Sequence, residues 1–166
     1  MKRVEANDPV AMRVIGTVRY HEGDYKSAFE YYTKAAASGE VEAHYQLSGL
    51  YRVGEGVEKN EEMALHHSEQ AAIGGHPNAR HNLGCFEIKY SRKDRAAKHF
   101  IIAAKLGQDK SLEMVKLLYK MGYASKDDFA AALRGHQATI AAEKSPQRDK
   151  AEGSFTGEMI CIRYLL

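Results

Sequence analysis

The side chains in this 166-residue chain best suited to metal or nucleophilic chemistry are His21, His44, His66, His67, His76, His81, His99 and His136, with Cys85 and Cys161. Two ligands presented by one helix must stand three or four residues apart to share a face. No two of the histidines do: His66 and His67 are adjacent, and His76 and His81 are five apart. A histidine centre would therefore be composite, drawn from separate helices. His44, His81 and His99 read as amphipathic surface or groove residues, and Cys85 as a small packed side chain, since a buried thiol is commonly inert. Gly54-x-Gly56 lacks the Gly-Lys-Ser/Thr end of a phosphate-binding loop, and no Gly-x-Ser-x-Gly nucleophile elbow occurs. The expectation is a chain with no catalytic residue, no metal and no cofactor.

The elements that position these residues are written in a repeat. Ala35-Ala36, Ala71-Ala72 and Ala103-Ala104 are each followed, three residues after the second alanine, by Gly39, Gly75 and Gly107, which step by 36 and then 32 residues. Ala28, Ala64 and Ala96 keep the same steps. Four residues after each, on the same helical face, stand Tyr32, Ser68 and Phe100. Ala11, Ala43, Ala79 and Ser111 precede Ile15, Leu47, Leu83 and Val115 by four, and Gly16, Ser48 and Gly84 follow the first three of those. Each unit thus reads as two helices, the first with a small residue where its partner crosses, the second ending in Ala-Ala and a glycine stop. The four extra residues of the second unit fall in Gly54-Glu55-Gly56-Val57, a longer turn between its helices.

The run Ala43-His44-Tyr45-Gln46-Leu47-Ser48-Gly49-Leu50-Tyr51, then Gly54-Glu55-Gly56-Val57-Glu58-Lys59-Asn60, Ala64 and Ala71-Ala72…Gly75 resembles the Sel-one-like repeat (SLR), a branch of the tetratricopeptide-type helical hairpins. The resemblance covers roughly residues 7–122 and is strongest in the second unit. It implies an all-α, right-handed α-solenoid of helix-turn-helix repeats that holds partners together without catalysis of its own. The repeats run about 7–39, 40–75 and 76–107, with a degenerate unit at 108–124. The paired cysteines of some secreted relatives are missing, so their cystines do not carry over.

In this hairpin class the groove is lined from the first helix of each unit. The resemblance therefore implies a protein-binding set of Arg13, Thr17, Tyr45, Gln46, Arg52, His81, Asn82 and Lys89, with Val14, Gly49, Cys85, Glu113, Met114 and Leu117 between them. Asn82 matches the backbone-binding Asn of tetratricopeptide carboxylate clamps. Lys110 and Met114 stand at the matching cationic positions, so that clamp is incomplete.

Beyond Gly122, Ser125-Lys126-Asp127-Asp128 reads as a helix start, and Phe129, Ala132, Leu133, His136 and Ile140 form one apolar stripe. This predicts a capping helix over 125–142 that covers the last repeat. At the other end no cap precedes the first unit, so Met12 and Val14 are either partly exposed or covered by a partner. Residues 143–166 read as a disordered tail with a kinase-type Ser145-Pro146 motif and an apolar end, 154–166.

Composition excludes several classes. A net charge of +2 leaves no footprint for nucleic acid, and no stretch reaches the roughly 18 apolar residues of a membrane span. Without a signal core, and with two cysteines that make no disulfide framework, the expectation is a cytoplasmic or nuclear monomer. The function expected is a non-catalytic scaffold or adaptor that binds another protein. The alternative is an enzyme or regulatory subunit with a composite His/Cys site between repeats.

Overall fold

The computed structural model describes the backbone of residues 8–162 and side chains as far as residue 144. Its described residues form α1 (Pro9–His21), α2 (Tyr25–Ala37), α3 (Val41–Val53), α4 (Glu61–Ile73), α5 (Pro77–Lys89), α6 (Lys93–Lys105), α7 (Asp109–Lys120) and α8 (Lys126–Ile162). A helix leaves its first N–H groups without partners, and side chains supply them here. Asp8, Asp24, Glu40, Asn60, His76 and Gln108 each accept from a backbone N–H of the first turn that follows. At the other ends Gly39, Gly75 and Gly107 turn the chain with φ of 82°, 87° and 90°, the left-handed backbone that glycine adopts without a Cβ penalty.

Consecutive helices pack in the order α1·α2, α2·α3, α3·α4 and onward to α6·α7, so each hairpin touches only its neighbours, as in a solenoid. The alanines that mark the repeat are the packing positions. Ala28, Ala35, Ala43, Ala71, Ala79, Ala96, Ala103 and Ala104 are fully buried. In the first and third hairpins a ring lies across a glycine of the facing helix. A Cβ on Gly16 would stand 2.8 Å from the Tyr32 ring, and one on Gly84 would stand 2.6 Å from Phe100. The second hairpin replaces this device with Ser48 and Ser68, whose hydroxyls lie 2.6 Å apart.

Its longer turn folds back over the first hairpin. Val57 packs on the cluster of Tyr32 and Leu47, and the Tyr20 hydroxyl donates to Glu55 Oε2 at 3.0 Å. Gly56 lies so close to Tyr25 that a Cβ would meet its carbonyl oxygen at 2.2 Å. The second hairpin is also tied by histidines. His44 Nδ1 and His67 Nδ1 are 3.0 Å apart, one ring donating to the other, and His67 stacks on Tyr51 at 5.6 Å. His44 is thus half-buried and bonded within the hairpin, not a free surface residue, because its helical face meets α4. Burial, and then the neighbouring His44 and His66, lower the His67 pKa to about 4; burial and then His66 lower that of His44.

At the carboxyl end α8 packs on α6 and α7. Ala132 is fully buried beside Phe100, Val115 and Leu118, Phe129 stacks on Tyr119, and Thr139 Oγ1 donates to the Lys105 carbonyl at 2.7 Å. Ser125 and Asp128 cap each other's backbone N–H at its start. The backbone of α8 runs on past 142 and is helical to Ile162. Helix formers on both sides of Pro146, Ala141-Ala142-Glu143-Lys144 and Lys150-Ala151-Glu152, carry the helical backbone across the one residue that lacks an N–H. The Ser145-Pro146 motif and the apolar end lie outside the residues with described side chains. At the amino end, Met12 is half-buried and Val14 is 47% exposed.

Two outcomes check this packing. Gly84→Ala, which drives a methyl into the buried Phe100 ring, lowers stability by about 1–3 kcal/mol in urea unfolding. Gly49→Ala, on a helical face with nothing within 4 Å of its new methyl, raises it by about 0.5–1 kcal/mol; equal effects would rule out the ring-on-glycine account. The histidine pair sets a pH dependence. Because the folded His67 binds its proton only near pH 4 while the unfolded residue does so near 6.5, the unfolded chain holds more protons between those values. Stability contributed by this site is therefore intact above about pH 6.5 and is lost as pH falls toward 4. His67→Gln flattens that part of the stability–pH curve, and parallel curves for the two proteins would refute the assignment.

Candidate functional site

The first helices of the hairpins, α1, α3, α5 and α7, carry the residues that the repeat pattern assigns to a groove. Between α3, α4 and α5 the structure opens a cavity of about 330 Å³, with Arg52, Lys59, Glu61, Asn82, Cys85 and Lys89 among its lining. Beside it a second cavity of about 190 Å³ is lined by Tyr20, Tyr45, Gln46, Gly49, Glu55, Arg52 and Asn82, among others. Arg52 and Asn82 line both and stand on the wall between them. Of the eight residues expected in the groove, five thus gather here: Tyr45, Gln46, Arg52, Asn82 and Lys89.

The other three are occupied elsewhere. Arg13 pairs with Glu40 at 3.2 Å, joining α1 to the start of α3. Thr17 Oγ1 donates to the Arg13 carbonyl and accepts from the buried Tyr32 hydroxyl at 3.2 Å. His81 Nδ1 lies 2.7 Å from the fully buried Ser111 Oγ, and its ring lies against Phe100. Arg13 and His81 thus link neighbouring hairpins, and Thr17 ties α1 to α2 within the first. In the flanking units Val14 and Leu117 are exposed, at 47% and 48%, while Met114 packs on the last core cluster.

Each gathered residue has a local reason for its pose. The Tyr45 ring stacks on His76 at 4.2 Å, and Gln46 donates to Glu42 one turn back at 2.7 Å. Lys89 reaches across from α5 to Glu61 at the start of α4, and that carboxylate raises the lysine's pKa. Among the described residues Arg52 and Lys59 take part in no ion pair. The cavity rim therefore carries an excess of positive charge.

Cys85 departs from its expected place. It is exposed at the cavity, because the buried face of α5 is made by Leu83, Gly84 and Glu87. Its Sγ lies 3.5 Å from His81 Nε2, one helical turn back. A comparison of histidines with histidines passes over this pair, although the spacing of four is legible in the sequence. Burial pushes the Cys85 thiol up, while burial and then Lys110 pull His81 down. Both groups are neutral near pH 7, which makes a poor nucleophile rather than a thiolate–imidazolium pair. No third histidine, cysteine or carboxylate joins them at metal-binding distance among the described residues. What the arrangement offers is hydrogen bonding, apolar contact and positive charge.

Sequence reasoning missed Ser48, Ser68 and Leu65 in the larger cavity and Tyr20 and Glu55 in the smaller. The serines had a legible signal, since they stand where the flanking repeats have glycine and a ring.

Comparison with known proteins agrees with this architecture. The Sel1 repeat profile matches residues 9–40, 41–76 and 77–108, more than half of the chain. Among solved structures, a Sel1 repeat protein from Oxalobacter formigenes superposes with a TM-score of 0.69 at 27% identity, over 85% of this chain and 61% of that one. A protective antigen of uropathogenic Escherichia coli strains displaying an SLR fold gives 0.69 at 26% identity, over 83% of this chain and 31% of its own. Chitin synthase regulatory factor 4 of Schizosaccharomyces pombe is 32% identical across 53% of this chain, which spans 14% of that protein. DAP3-binding cell death enhancer 1 of Mus musculus is 23% identical across 90% of this chain, which spans 37% of that protein. No described helix is long and apolar enough to cross a membrane. With an all-helical solenoid, three tandem matches and SLR-fold structural neighbours, the chain belongs to the Sel1 repeat family.

Proposed function

We propose that this chain is a non-catalytic interaction module that holds a peptide or helix of a partner protein against the face of α3 and α5. The observation that carries this reading is the pair of adjoining cavities with Arg52 and Asn82 on their shared wall. Arg52 is a cation free of ion pairing among the described residues, and Asn82 offers an amide donor and acceptor that matches a peptide backbone. Tyr45 and Gln46 add a ring and a second amide on the same face. The yeast relative is named a regulatory factor and the mouse relative a DAP3-binding protein, which fits an adaptor role. This chain spans 14% and 37% of those two relatives, so the support for a partner comes from its own surface chemistry.

The test is affinity capture from the native cell extract with the wild-type chain and with Arg52→Glu/Asn82→Ala. Both substitutions lie at the cavity wall, so circular dichroism and the unfolding midpoint stay close to wild type. The wild type retains a defined set of proteins, and the variant loses at least one of them by about tenfold or more, the order of effect of removing an interface anchor. Identical retention by both, or turnover of a substrate by the purified chain, would overturn the proposal.

A further inference from the structure

The cavity of about 330 Å³ has in its lining Ser48 and Ser68, the second hairpin's residues at the positions where the flanking repeats have a glycine and an aromatic ring. In the first and third hairpins Tyr32 and Phe100 fill the interior by lying on Gly16 and Gly84. In the second, Ser68 takes the place of the ring and Ser48 that of the glycine. Their mutual bond of 2.6 Å satisfies both hydroxyls, and two hydroxymethyl groups occupy less volume than a ring. The core records the same break. The cluster at the start of the chain has the buried Tyr32 and that at the end the buried Phe100, whereas the one between, Ala71, Ala72, Ala79 and Leu83, has no buried ring and only the partly buried Tyr45 packed against it.

The cavity of about 330 Å³ opens at this gap, with Ser48 and Ser68 in its wall and Leu65, Leu83 and Phe86 as its apolar sides. A void of about 150 Å³ lined by aliphatic side chains already admits benzene, so this one has room for a phenyl group and the atoms that connect it. Its rim is cationic: Lys89 is engaged by Glu61, while Arg52 and Lys59 have no acidic partner among the described residues. An apolar socket beside two free cations is complementary to an apolar side chain with a carboxylate next to it.

Resting on the interaction module proposed above, we propose that this cavity receives an aromatic or long aliphatic side chain of a partner protein segment, which takes the place of the missing ring, while an adjacent acidic residue of that segment pairs with Arg52 and Lys59. The partner thus completes the core of the second hairpin from outside. Its anchor is the hot spot of the interface, and the remaining groove contacts set register.

The probe is 3-phenylpropanoate, a phenyl ring with one carboxylate, titrated into the whole chain and followed by amide NMR shifts. Saturable binding near roughly millimolar is expected for a ligand of this size, with shifts at Leu65, Ser68, Leu83 and Phe86. The cationic analogue 2-phenylethylamine binds at least about tenfold more weakly, because the rim repels it. Ser48→Gly/Ser68→Phe, which restores both members of the ring-on-glycine pair, supplies the ring internally, abolishes the titration and raises the unfolding midpoint. Leu65→Glu, at the cavity wall, also abolishes it, so the outcome holds even if Ser48→Gly/Ser68→Phe folds poorly. Absence of saturable shifts, unchanged shifts in both variants, or equal binding of the two probes would overturn the inference. If partners captured by the wild type are lost by Arg52→Glu/Asn82→Ala but kept by Ser48→Gly/Ser68→Phe and Leu65→Glu, the socket is wrong and the interaction module stands.

Discussion

The close approach of two helices across a single small residue is the constraint on which this molecule depends. Gly16 and Gly84 have no Cβ, so the Tyr32 and Phe100 rings lie directly on the facing backbone, and both rings are essentially solvent-free. Dispersion between ring and backbone, together with the apolar area removed from water, holds each hairpin shut. That closure fixes where the second helix ends, where the glycine stop turns the chain, and hence how the next hairpin stacks. Alanine, with almost no side-chain entropy to lose, is the spacer at the repeat's other buried packing positions, such as Ala28, Ala35, Ala43, Ala71 and Ala79.

The second hairpin keeps this geometry by other means. A serine pair replaces ring and glycine, a neutral histidine pair joins α3 to α4, and the longer turn braces itself on the first hairpin through Tyr20 and Glu55. Hydrogen bonds hold the helices together but fill less volume than a ring. Lost volume and retained geometry together create a cavity, and the cavity lies where cations from α3, α5 and the longer turn converge. On the proposed reading, structure and recognition are coupled at the repeat whose packing differs from its neighbours.

The reading of the fold from sequence succeeded where one residue type answers one steric demand. Gly39, Gly75 and Gly107 were legible as stops because few other residues adopt a positive φ at low cost. The Ala-Ala pairs were legible as packing positions, and Phe129, Ala132, Leu133, His136 and Ile140 as the face by which α8 meets α6 and α7. Residues whose role depends on a distant partner were harder. Cys85 was expected to pack, yet the turn-by-turn facing of α5 puts it outward. Arg13, Thr17 and His81 were expected in the groove, but Glu40, Tyr32 and Ser111, which approach from other helices, hold them as structural links. A proline and a polar run read as an exit from the fold, and the backbone of α8 runs helical through them to Ile162.

By itself the sequence determined the repeat: its period, its helix pairs, the longer turn in the second unit and the cap. Each of these follows from interactions within a few residues or from a steric rule that recurs at a fixed interval. Only the tertiary structure decided what that repeat presents. Whether Arg52 is free or paired, whether Lys89 meets Glu61, and whether the step from Phe or Tyr to Ser68 leaves a filled or an open interior all depend on side chains converging from three helices. Such convergence is a property of packing, and the spacing along one chain does not encode it locally.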